Sequence, residues 1–332
     1  MAAMRSPKLS SGLARRGLLA GAAAVLATSP LRAEAFPNKP IQLVVPLGPG
    51  GINDIISRLI AQKLTESWGQ AVIVVNKPGA GGIIGSEAVA KAAPDGYTIL
   101  MVYSSHMVNP SLYSKLPYDS VRDFAPITLV NTVNLVLTVS PLVQANSVKE
   151  LIALAKSKPG TLNYGTSGIG SLGHLAALRF ANEAGIDVVQ VPYKSAPEVT
   201  TALMRGDTAF YFDSPITALP FIRSSKVKAL AVTSATRSSV LPEVPTVAEA
   251  ALRGFEVLGW NGLLAPAGTP KPVIDKLNGE IVRILRTREV TNQLKEQGVD
   301  VVGDRAEEFA AIIPADIAKW REIITAAGIK IE

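Results

Sequence analysis

Three short loops rich in glycine and hydroxyl residues carry the chemistry that this sequence suggests. The first is centred on Gly48, Gly50 and Gly51, the second spans residues 77–82, and the third spans residues 166–171. Each loop follows an apolar strand pattern and precedes a helix pattern, so each places bare backbone beside a helix N-terminus. The unpaired N–H groups and the dipole of such a helix end attract anions. We therefore expect an anion site built mainly from peptide amides.

The candidate ligand-binding residues lie in these loops or at the ends of neighbouring strands. Each offers an unshielded amide, a hydroxyl or a polar side chain, and they are Gly50, Gly51, Gly81, Gly82, Ser104, Ser105, Thr166, Ser167, Gly170, Ser171, His174, Tyr193 and Asp213. The hydroxyls of the third loop could instead cap its helix, and His174 could make a structural hydrogen bond. Asp213 could accept from a ligand amine or hydroxyl, or cap the turn that follows it.

No pattern in the sequence predicts a catalytic residue, a metal site or a cofactor. The glycine loops lack the Lys-Ser/Thr of a phosphate-binding loop and the G-x-G-x-x-G spacing of a dinucleotide site. Ser105 and His106 are adjacent, so their side chains diverge, and neither G-x-S-x-G nor H-E-x-x-H occurs. The two histidines stand far apart and the chain has no cysteine, which argues against zinc. An exported hydrolase is therefore the weaker alternative to a binding protein.

The first 35 residues have the pattern of an export signal. Arg15 and Arg16 precede an apolar stretch, residues 17–28, that is too short to span a bilayer, and an A-x-A motif predicts cleavage near Ala35. The arginine pair fits the twin-arginine route, with ordinary secretion as the alternative. The segment carries five basic residues and one acidic residue, a net of +4, which leaves +2 of the chain's +6. The remainder gives no argument for a nucleic acid partner.

Strand and helix patterns alternate after the signal, which favours an α/β fold with mostly parallel sheets. We expect lobe 1 to consist of residues 36–137 and 259–332, and lobe 2 of residues 138–258. Chain crossings near Leu137 and Leu258 would form a hinge. Because ligands of open α/β sheets bind beyond the carboxyl ends of the strands, the glycine loops of the two lobes would face each other across a cleft.

Motifs spread over residues 36–332 carry a family resemblance. In chain order they are Val44-Val45-Pro46 with Pro49-Gly50-Gly51, Asn76-Lys77-Pro78-Gly79-Ala80-Gly81-Gly82, Ala93-Pro94-Asp95-Gly96-Tyr97-Thr98, Leu116-Pro117-Tyr118-Asp119, Ser167-Gly168 with Gly170, Val191-Pro192-Tyr193-Lys194, Phe212-Asp213 and Leu264-Ala265-Pro266-Ala267-Gly268-Thr269-Pro270. Together they resemble the extracytoplasmic solute receptors of tripartite tricarboxylate transporters, the Bug or TctC-like family. So many matches in order are far more specific than any one glycine loop.

The resemblance implies a two-lobed periplasmic-binding-protein fold of type II, the Venus-flytrap fold, with a hinge of two chain crossings. It implies a monomeric periplasmic receptor that closes on a small carboxylated solute, either an organic acid, an amino acid or an aromatic acid. Loop amides, hydroxyls and bridging waters would hold the ligand. The partners would be the permease subunits of a tripartite tricarboxylate transporter, and presentation of the ligand to a membrane sensor is the alternative.

Three positions depart from the family pattern. Ile52 stands where a small hydroxyl residue often follows the double glycine, and Gly48 stands where many members have proline. Ser195 follows Lys194 directly, where a glycine is usual. These departures leave the class of protein unchanged and bear on the identity of the ligand.

Overall fold

The computed structural model describes residues 1–3 and 36–326, without the side chains of Ser104, Ile323 and Ala326. The chain divides into two units, Met1–Phe36 and Pro37–Glu332, and every element named below belongs to the second. Apart from its first three residues, the expected export signal lies outside the described part of the chain, so its cleavage stays a prediction.

Strands and helices alternate along most of the second unit, which confirms the α/β expectation. The strands are β1 (Ile41–Val45), β2 (Val72–Asn76), β3 (Thr98–Val102), β4 (Phe124–Val133), β5 (Val136–Val139), β6 (Asn163–Thr166), β7 (Val189–Pro192), β8 (Phe210–Asp213), β9 (Lys228–Val232), β10 (Gly259–Pro266) and β11 (Asp300–Val301). The helices are α1 (Ile52–Trp68), α2 (Ile83–Ala90), α3 (Ser104–Leu112), α4 (Val148–Ser157), α5 (Leu172–Ala184), α6 (Ala196–Arg205), α7 (Pro215–Arg223), α8 (Val247–Ala250), α9 (Lys271–Leu285), α10 (Arg288–Lys295) and α11 (Ala306–Ala326). A 3₁₀ turn, Ala80–Gly82, precedes α2.

The first sheet has six strands in the order β11–β4–β10–β3–β1–β2. β1 pairs in parallel with β2 and β3, whereas β10 runs antiparallel to β3 and β4, and β11 runs antiparallel to β4. Four of the five β1 residues are buried, as expected for a strand that is covered on both faces. Helix α1 packs on β1 and β2 and ends at Gly69, whose left-handed backbone (φ 66°) stops the helix.

The second sheet has five strands in the order β7–β6–β8–β5–β9. β6 pairs in parallel with β7 and β8, whereas β5 runs antiparallel to β8 and β9. Phe180 of α5 packs edge-on against Phe210 and Phe212 of β8, with ring centroids 6.1 and 5.6 Å apart. All three rings are buried, so they form the apolar centre that fixes α5 on this sheet.

The chain passes between the two sheets twice. It leaves the first sheet at the end of β4 and enters the second at β5 through residues 134–135. It returns from β9 to β10 through residues 233–258. The first strand after each passage, β5 or β10, runs antiparallel to both of its neighbours, so the sheets are mixed rather than mostly parallel. The division into two lobes stays an interpretation of these passages.

Helix α11 packs against β4 and α3 beside the first sheet. Its Phe309 is fully buried against Gly262 of β10, where a Cβ would lie 2.3 Å from the ring, so only glycine fits. Trp260 of β10 packs edge-on on Phe309 at 5.2 Å and donates its indole N–H to Asp316 at 3.1 Å. These contacts fix the returning strand. None of the described helices is long and apolar enough to cross a bilayer.

Asn53 and Asp54 are residue types that often cap helices, so the sequence predicts that one of them caps the first helix, and this expectation is wrong. Neither Asn53 nor Asp54 is the N-cap of α1, because the helix begins at Ile52 after Gly51, whose position lacks a side-chain cap. The two side chains have other partners. Asp54 accepts from Arg58, and Asn53 donates to Asn261 of β10.

Candidate functional site

A cavity of about 70 Å³ lies between loops of the two sheets. It has room for several water molecules or one small organic ion, since a water needs about 10–15 Å³ on this scale. The lining residues come from elements of both sheets, and they are Leu47, Gly48, Gly51, Ile52, Asn53, Tyr103, Val133, Leu135, Ser167, Ser171, Leu172, Gly173, Ser195, Ala196, Tyr211, Phe212, Asp213, Ser214, Thr217, Trp260 and Asn261.

Five helices begin at this cavity. Their N-cap residues are all part of the lining, and they are Gly51 of α1, Tyr103 of α3, Ser171 of α5, Ser195 of α6 and Ser214 of α7. The first N–H groups of a helix have no intrahelical partner, and the N-terminal end of its dipole is positive. Five such ends around one small space favour an anion there.

The electrostatics of the cavity come from these dipoles and not from basic side chains. None of the lining residues is Lys, Arg or His, and Asp213 is the one acid among them. No group of His, Asp and Glu within the described residues could hold a metal ion. An anionic ligand would therefore be held by hydrogen bonds from backbone amides and hydroxyl groups.

The first glycine loop places Gly51 in the lining and directs Gly50 elsewhere. The Gly50 N–H donates to Asp54 Oδ2 at 2.9 Å. Burial alone would raise the pKa of Asp54, but hydrogen bonds from Arg58, Gly50 and Asn76 outweigh it and lower that pKa. Asp54 thus stays ionised and holds the turn between β1 and α1.

The second glycine loop packs against α3 and the third loop rather than lining the cavity. The Gly82 N–H donates to the Gly79 carbonyl at 2.9 Å, and the Gly81 carbonyl accepts from Asn109 Nδ2 at 3.1 Å. A Cβ on Gly81 would lie 3.0 Å from the carbonyl oxygen of Ile169, so this loop approaches the third loop closely. A ligand contact of Gly81 or Gly82 stays a prediction.

The third loop brings Ser167 and Ser171 to the cavity. Ser171 is the N-cap of α5, and its Oγ accepts from the His174 N–H at 3.3 Å. The Gly170 N–H donates to His174 Nδ1 at 3.1 Å. Thr166 is fully buried at the end of β6, where its Oγ1 accepts from Gln190 Nε2 at 3.3 Å, and it is not part of the lining.

His174 serves the loop as a neutral acceptor. Because Nδ1 accepts a hydrogen bond, the ring proton belongs on Nε2. Burial lowers the pKa of His174 to about 4, so the ring is neutral at pH 7. The histidine holds Gly170 in place beside the lining without being one of the lining residues.

Ser105 and Tyr193 are not among the lining residues. Ser105 is buried in the first turn of α3, and a Cβ on Gly82 would lie 3.3 Å from its Oγ. Tyr193 shares a hydrogen bond of 2.9 Å with Thr208. The side chain of Ser104 is outside the described part of the structure.

Asp213 ends β8 with its side chain at the cavity. It is 3% exposed, and its Oδ1 accepts from the Ser214 N–H at 2.8 Å and from Thr217 Oγ1 at 2.5 Å. Burial raises the pKa of Asp213 to about 7, although the hydrogen bonds from Thr217, Ser214 and Tyr211 lower it. Asp213 can therefore cap the turn that follows β8 and face a ligand at the same time.

Four of the predicted residues, Gly51, Ser167, Ser171 and Asp213, meet at the cavity. Sequence reasoning passed over other polar residues of the lining, which are Asn53, Tyr103, Ser195, Tyr211, Ser214, Thr217 and Asn261. Two of them had a usable signal, since Ser195 and Ser214 each precede a helix with proline in its first turn.

Comparison with known proteins gives a consistent relationship over nearly the whole chain. Residues 56–329 match the family described as "Tripartite tricarboxylate transporter family receptor". A Pseudomonas sp. protein, described as "UPF0065 protein in tcbD-tcbE intergenic region", is 40% identical over 328 residues, which cover 98% of this chain and 97% of that protein.

Two solved structures share the fold. The R. palustris protein Rpa4515 with adipate has a TM-score of 0.87 at 32% identity and covers 89% of this chain and 100% of that one. The periplasmic binding protein BugD has a TM-score of 0.86 at 34% identity, with coverage of 89% and 100%. The expected periplasmic-binding-protein fold is thereby confirmed. The chain belongs to the tripartite tricarboxylate transporter receptor family, the TctC or Bug family of solute-binding proteins.

Proposed function

We propose that this chain is a periplasmic receptor that captures one small carboxylate in the cavity between its two sheets. The observation that carries the proposal is the convergence of five helix N-termini on a cavity without basic residues. A carboxylate is the right size for this space, and it can accept several hydrogen bonds from amides and hydroxyls at once. The solved relative with adipate supports this class of ligand.

Binding without turnover is part of the proposal. None of the lining residues is a histidine or lysine that could activate a serine. The one acid there, Asp213, accepts from the Ser214 N–H and from Thr217 Oγ1 rather than from a serine hydroxyl. The hydroxyls at the cavity are suited to donating hydrogen bonds to a bound acid. Family membership supports the same role, because the family consists of receptors.

The finer parts of the proposal concern location and partners. We infer that the chain is exported, works as a monomer in the periplasm, and delivers its ligand to the permease subunits of a tripartite tricarboxylate transporter. Deleting the gene tests delivery. Lost uptake of the acid supports a transport role, whereas normal uptake with lost induction of the uptake genes supports presentation to a sensor.

A thermal-shift screen tests ligand capture. The panel consists of malate, adipate, benzoate and glutamate, which represent hydroxy acids, plain diacids, aromatic acids and amino acids. At a hundredfold excess over its Kd, a bound acid stabilises the protein by about 2.7 kcal/mol and raises its Tm by several degrees. A response to sugars or metal ions, with none to any acid, contradicts the proposal.

Two leucine variants locate the binding site. Gly51→Leu places a bulky side chain at the cavity, and the extended backbone of Gly51 (φ −86°) accepts any residue. We expect the thermal shift to disappear while the fold is retained. Gly279→Leu is the matched control, because Gly279 is exposed on α9 and a Cβ there would meet nothing within 4 Å. Equal shifts in both variants would remove the first loop from the site.

A further inference from the structure

Asp213 is out of place in a cavity for an anion. It is the one acid among the lining residues, and no Lys, Arg or His accompanies it there. It is 3% exposed, so little water screens its charge. A ligand carboxylate and an ionised Asp213 in the same small space would repel each other, and such pairs relieve the repulsion by binding a proton.

Asp213 accepts three hydrogen bonds, from Ser214, Thr217 and Tyr211, and at least two of them go to Oδ1. Ser214 N–H and Thr217 Oγ1 both donate to Oδ1, at 2.8 and 2.5 Å. An oxygen that accepts two hydrogen bonds is a poor place for a hydroxyl proton, so the proton belongs on Oδ2. A protonated carboxyl donates one O–H, and such a bond to a carboxylate is short and strong.

No basic side chain in the lining or on the elements packed against β8 pairs with Asp213 to keep it ionised. The ionisable side chains around Asp213 come from its own strand, from the elements packed against β8 and from across the cavity. They are Tyr211 of β8, Tyr164 of β6, His174, Arg179 and Glu183 of α5, Glu198 and Arg205 of α6, Arg223 of α7, and Tyr103 across the cavity. β5 has no ionisable residue. Arg179 pairs with Glu183 at 2.6 Å, and Arg205 and Arg223 are exposed. Burial keeps His174 neutral and raises the pKa values of the tyrosines.

We propose that Asp213 takes up a proton when a carboxylate enters the cavity, so that capture is coupled to protonation and weakens as the pH rises. This inference rests on the proposed function as a carboxylate receptor. Asp213 then acts as a neutral hydrogen-bond donor to the bound acid, alongside the helix ends. Since the pKa of Asp213 is already raised to about 7 by burial, the proton is available near neutral pH.

The opposite assignment makes the opposite prediction. An ionised Asp213 could accept from the ammonium group of an amino acid, and binding would then release the proton and strengthen as the pH rises. The geometry favours the first assignment, because the positive ends of five helices at this cavity attract a carboxylate and repel an ammonium group. The sign of the pH dependence separates the two assignments.

The experiment measures Kd by calorimetry from pH 6 to pH 9 for the panel acid with the largest thermal shift. Carboxyl groups titrate near pH 4, so an acid probe stays ionised over this range. We expect the Kd of the wild type to rise toward tenfold per pH unit above pH 7. Titrations at pH 8 in buffers of different ionisation enthalpy should show about one proton taken up per ligand.

Asp213→Asn imitates the neutral carboxyl, since its Oδ1 can accept the same two hydrogen bonds and its Nδ2 can donate. Its Kd should stay within about twofold of the low-pH wild type at every pH, without proton uptake. Asp304→Asn is the matched control. Asp304 also has a pKa raised by burial and accepts through Oδ1, from the Leu129 N–H at 2.7 Å, but it is not part of the lining. This control should keep the wild-type slope.

Other results would contradict either the proton coupling alone or the receptor proposal as well. A pH-independent Kd in the wild type, or loss of binding in a folded Asp213→Asn protein, overturns the proton coupling and leaves the receptor proposal intact. A Kd that falls with pH, with glutamate as the preferred acid, assigns Asp213 to an ammonium group and also overturns it. Binding of no panel acid at any pH, by either protein, overturns the receptor proposal and this inference together.

Discussion

Three buried asparagines connect the cavity wall to the first sheet. Asn53 Nδ2 donates to Asn261 Oδ1 at 3.0 Å, and Asn261 Nδ2 donates to Asn131 Oδ1 at 3.2 Å. The chain of amides joins α1 to the central strand β10 and to β4. Because buried amides are costly without partners, this chain fixes the positions of Asn53 and Asn261 at the cavity.

We predict that Asn261→Ala lowers the free energy of unfolding by about 2–4 kcal/mol, since it leaves amide groups of Asn53 and Asn131 without partners. Urea denaturation measures the change. Asn292→Ala, at an exposed position on α10, should change the free energy by less than about 0.5 kcal/mol. A loss at Asn261 no greater than that of the control would show that the amide chain contributes nothing.

The two histidines predict a loss of stability in acid. Both are buried, and burial lowers their pKa values to about 4 from an ordinary value of 6.5. The unfolded chain therefore binds more protons, so stability is full above pH 6.5 and falls as the pH drops toward 4. At pH 5 the expected loss is about 2 kcal/mol per histidine.

Glutamine variants separate this effect from the titration of carboxylates. His106 Nε2 must donate to the Ser120 carbonyl, at 2.9 Å, and His174 Nδ1 accepts from Gly170. A glutamine amide can do either without titrating. The double variant His106→Gln, His174→Gln should lose about 4 kcal/mol less than the wild type between pH 7 and pH 5. Parallel pH curves for the two proteins would contradict the assignment.

At the residue scale, sequence patterns predicted lining residues only where the end of a strand is followed by the start of a helix. Ser167, Ser171 and Asp213 occupy such places and were predicted as candidates. Asn261 carries no such signal, because it lies inside β10 and reaches Asn53 across 208 positions of sequence. Contacts of that range depend on the order of strands in the sheet, which local patterns do not encode.

The site depends on the N-terminal ends of helices. Two of the serines at N-cap positions differ in whether the side chain makes a capping hydrogen bond. Ser171 Oγ accepts from the His174 N–H at 3.3 Å, whereas Ser195 makes no capping bond with its side chain. We predict that Ser171→Ala lowers the free energy of unfolding by about 1 kcal/mol, and that Ser195→Ala changes it by only a few tenths. Urea denaturation of both variants tests this.

The paired variants also separate capping from ligand binding. Ser195 is free to donate to a bound acid, so Ser195→Ala should weaken binding of the best panel acid severalfold at unchanged stability. If Ser195→Ala destabilises the protein as much as Ser171→Ala does, the hydroxyl of Ser195 caps α6 after all. Ser195→Ala could then no longer separate ligand binding from helix capping.

At the element scale, local patterns succeeded where strand and helix signals were strong. The apolar run over residues 41–45 predicts a strand, and the helix pattern that follows it predicts a helix up to about Trp68; both agree with the structure. The apolar run after Pro126 predicts a strand over residues 127–130 only. β4 instead runs from Phe124 to Val133, because Pro126 pairs with Leu264 of β10 and does not interrupt the strand. The partner strand overrode the local proline signal.

At the scale of the whole molecule, the cavity is bordered by loops that belong to different sheets and touch each other. The first glycine loop follows β1 of the first sheet, and Ser195 and Ala196 follow β7 of the second. A Cβ on Gly48 would lie 2.5 Å from the Lys194 carbonyl oxygen. Among the residues that the structure describes, two passages of chain join the sheets, so we expect these loops to separate when a ligand enters.

A disulfide between the two loops tests this expectation. A Cβ on Gly51 would lie 3.8 Å from the Ala196 Cβ, which is about the Cβ–Cβ distance of a disulfide. The chain has no cysteine, so the variant Gly51→Cys, Ala196→Cys contains one possible pair. We predict that the oxidised variant binds the best panel acid at least tenfold more slowly than the reduced variant. Stopped-flow tryptophan fluorescence measures the rate, because one of the three tryptophans, Trp260, is in the lining.

The redox comparison within one protein removes the effect of the substitutions themselves, because reduction restores the same sequence without the bond. The single variants Gly51→Cys and Ala196→Cys should bind at the same rate with and without reductant, and a thiol assay confirms that only the double variant loses two thiols on oxidation. Equal association rates in the oxidised and reduced double variant would show that the acid reaches the cavity while the loops stay together. Entry would then require a route other than separation of the first glycine loop from α6, and the two passages between the sheets would have no role as a hinge in ligand capture.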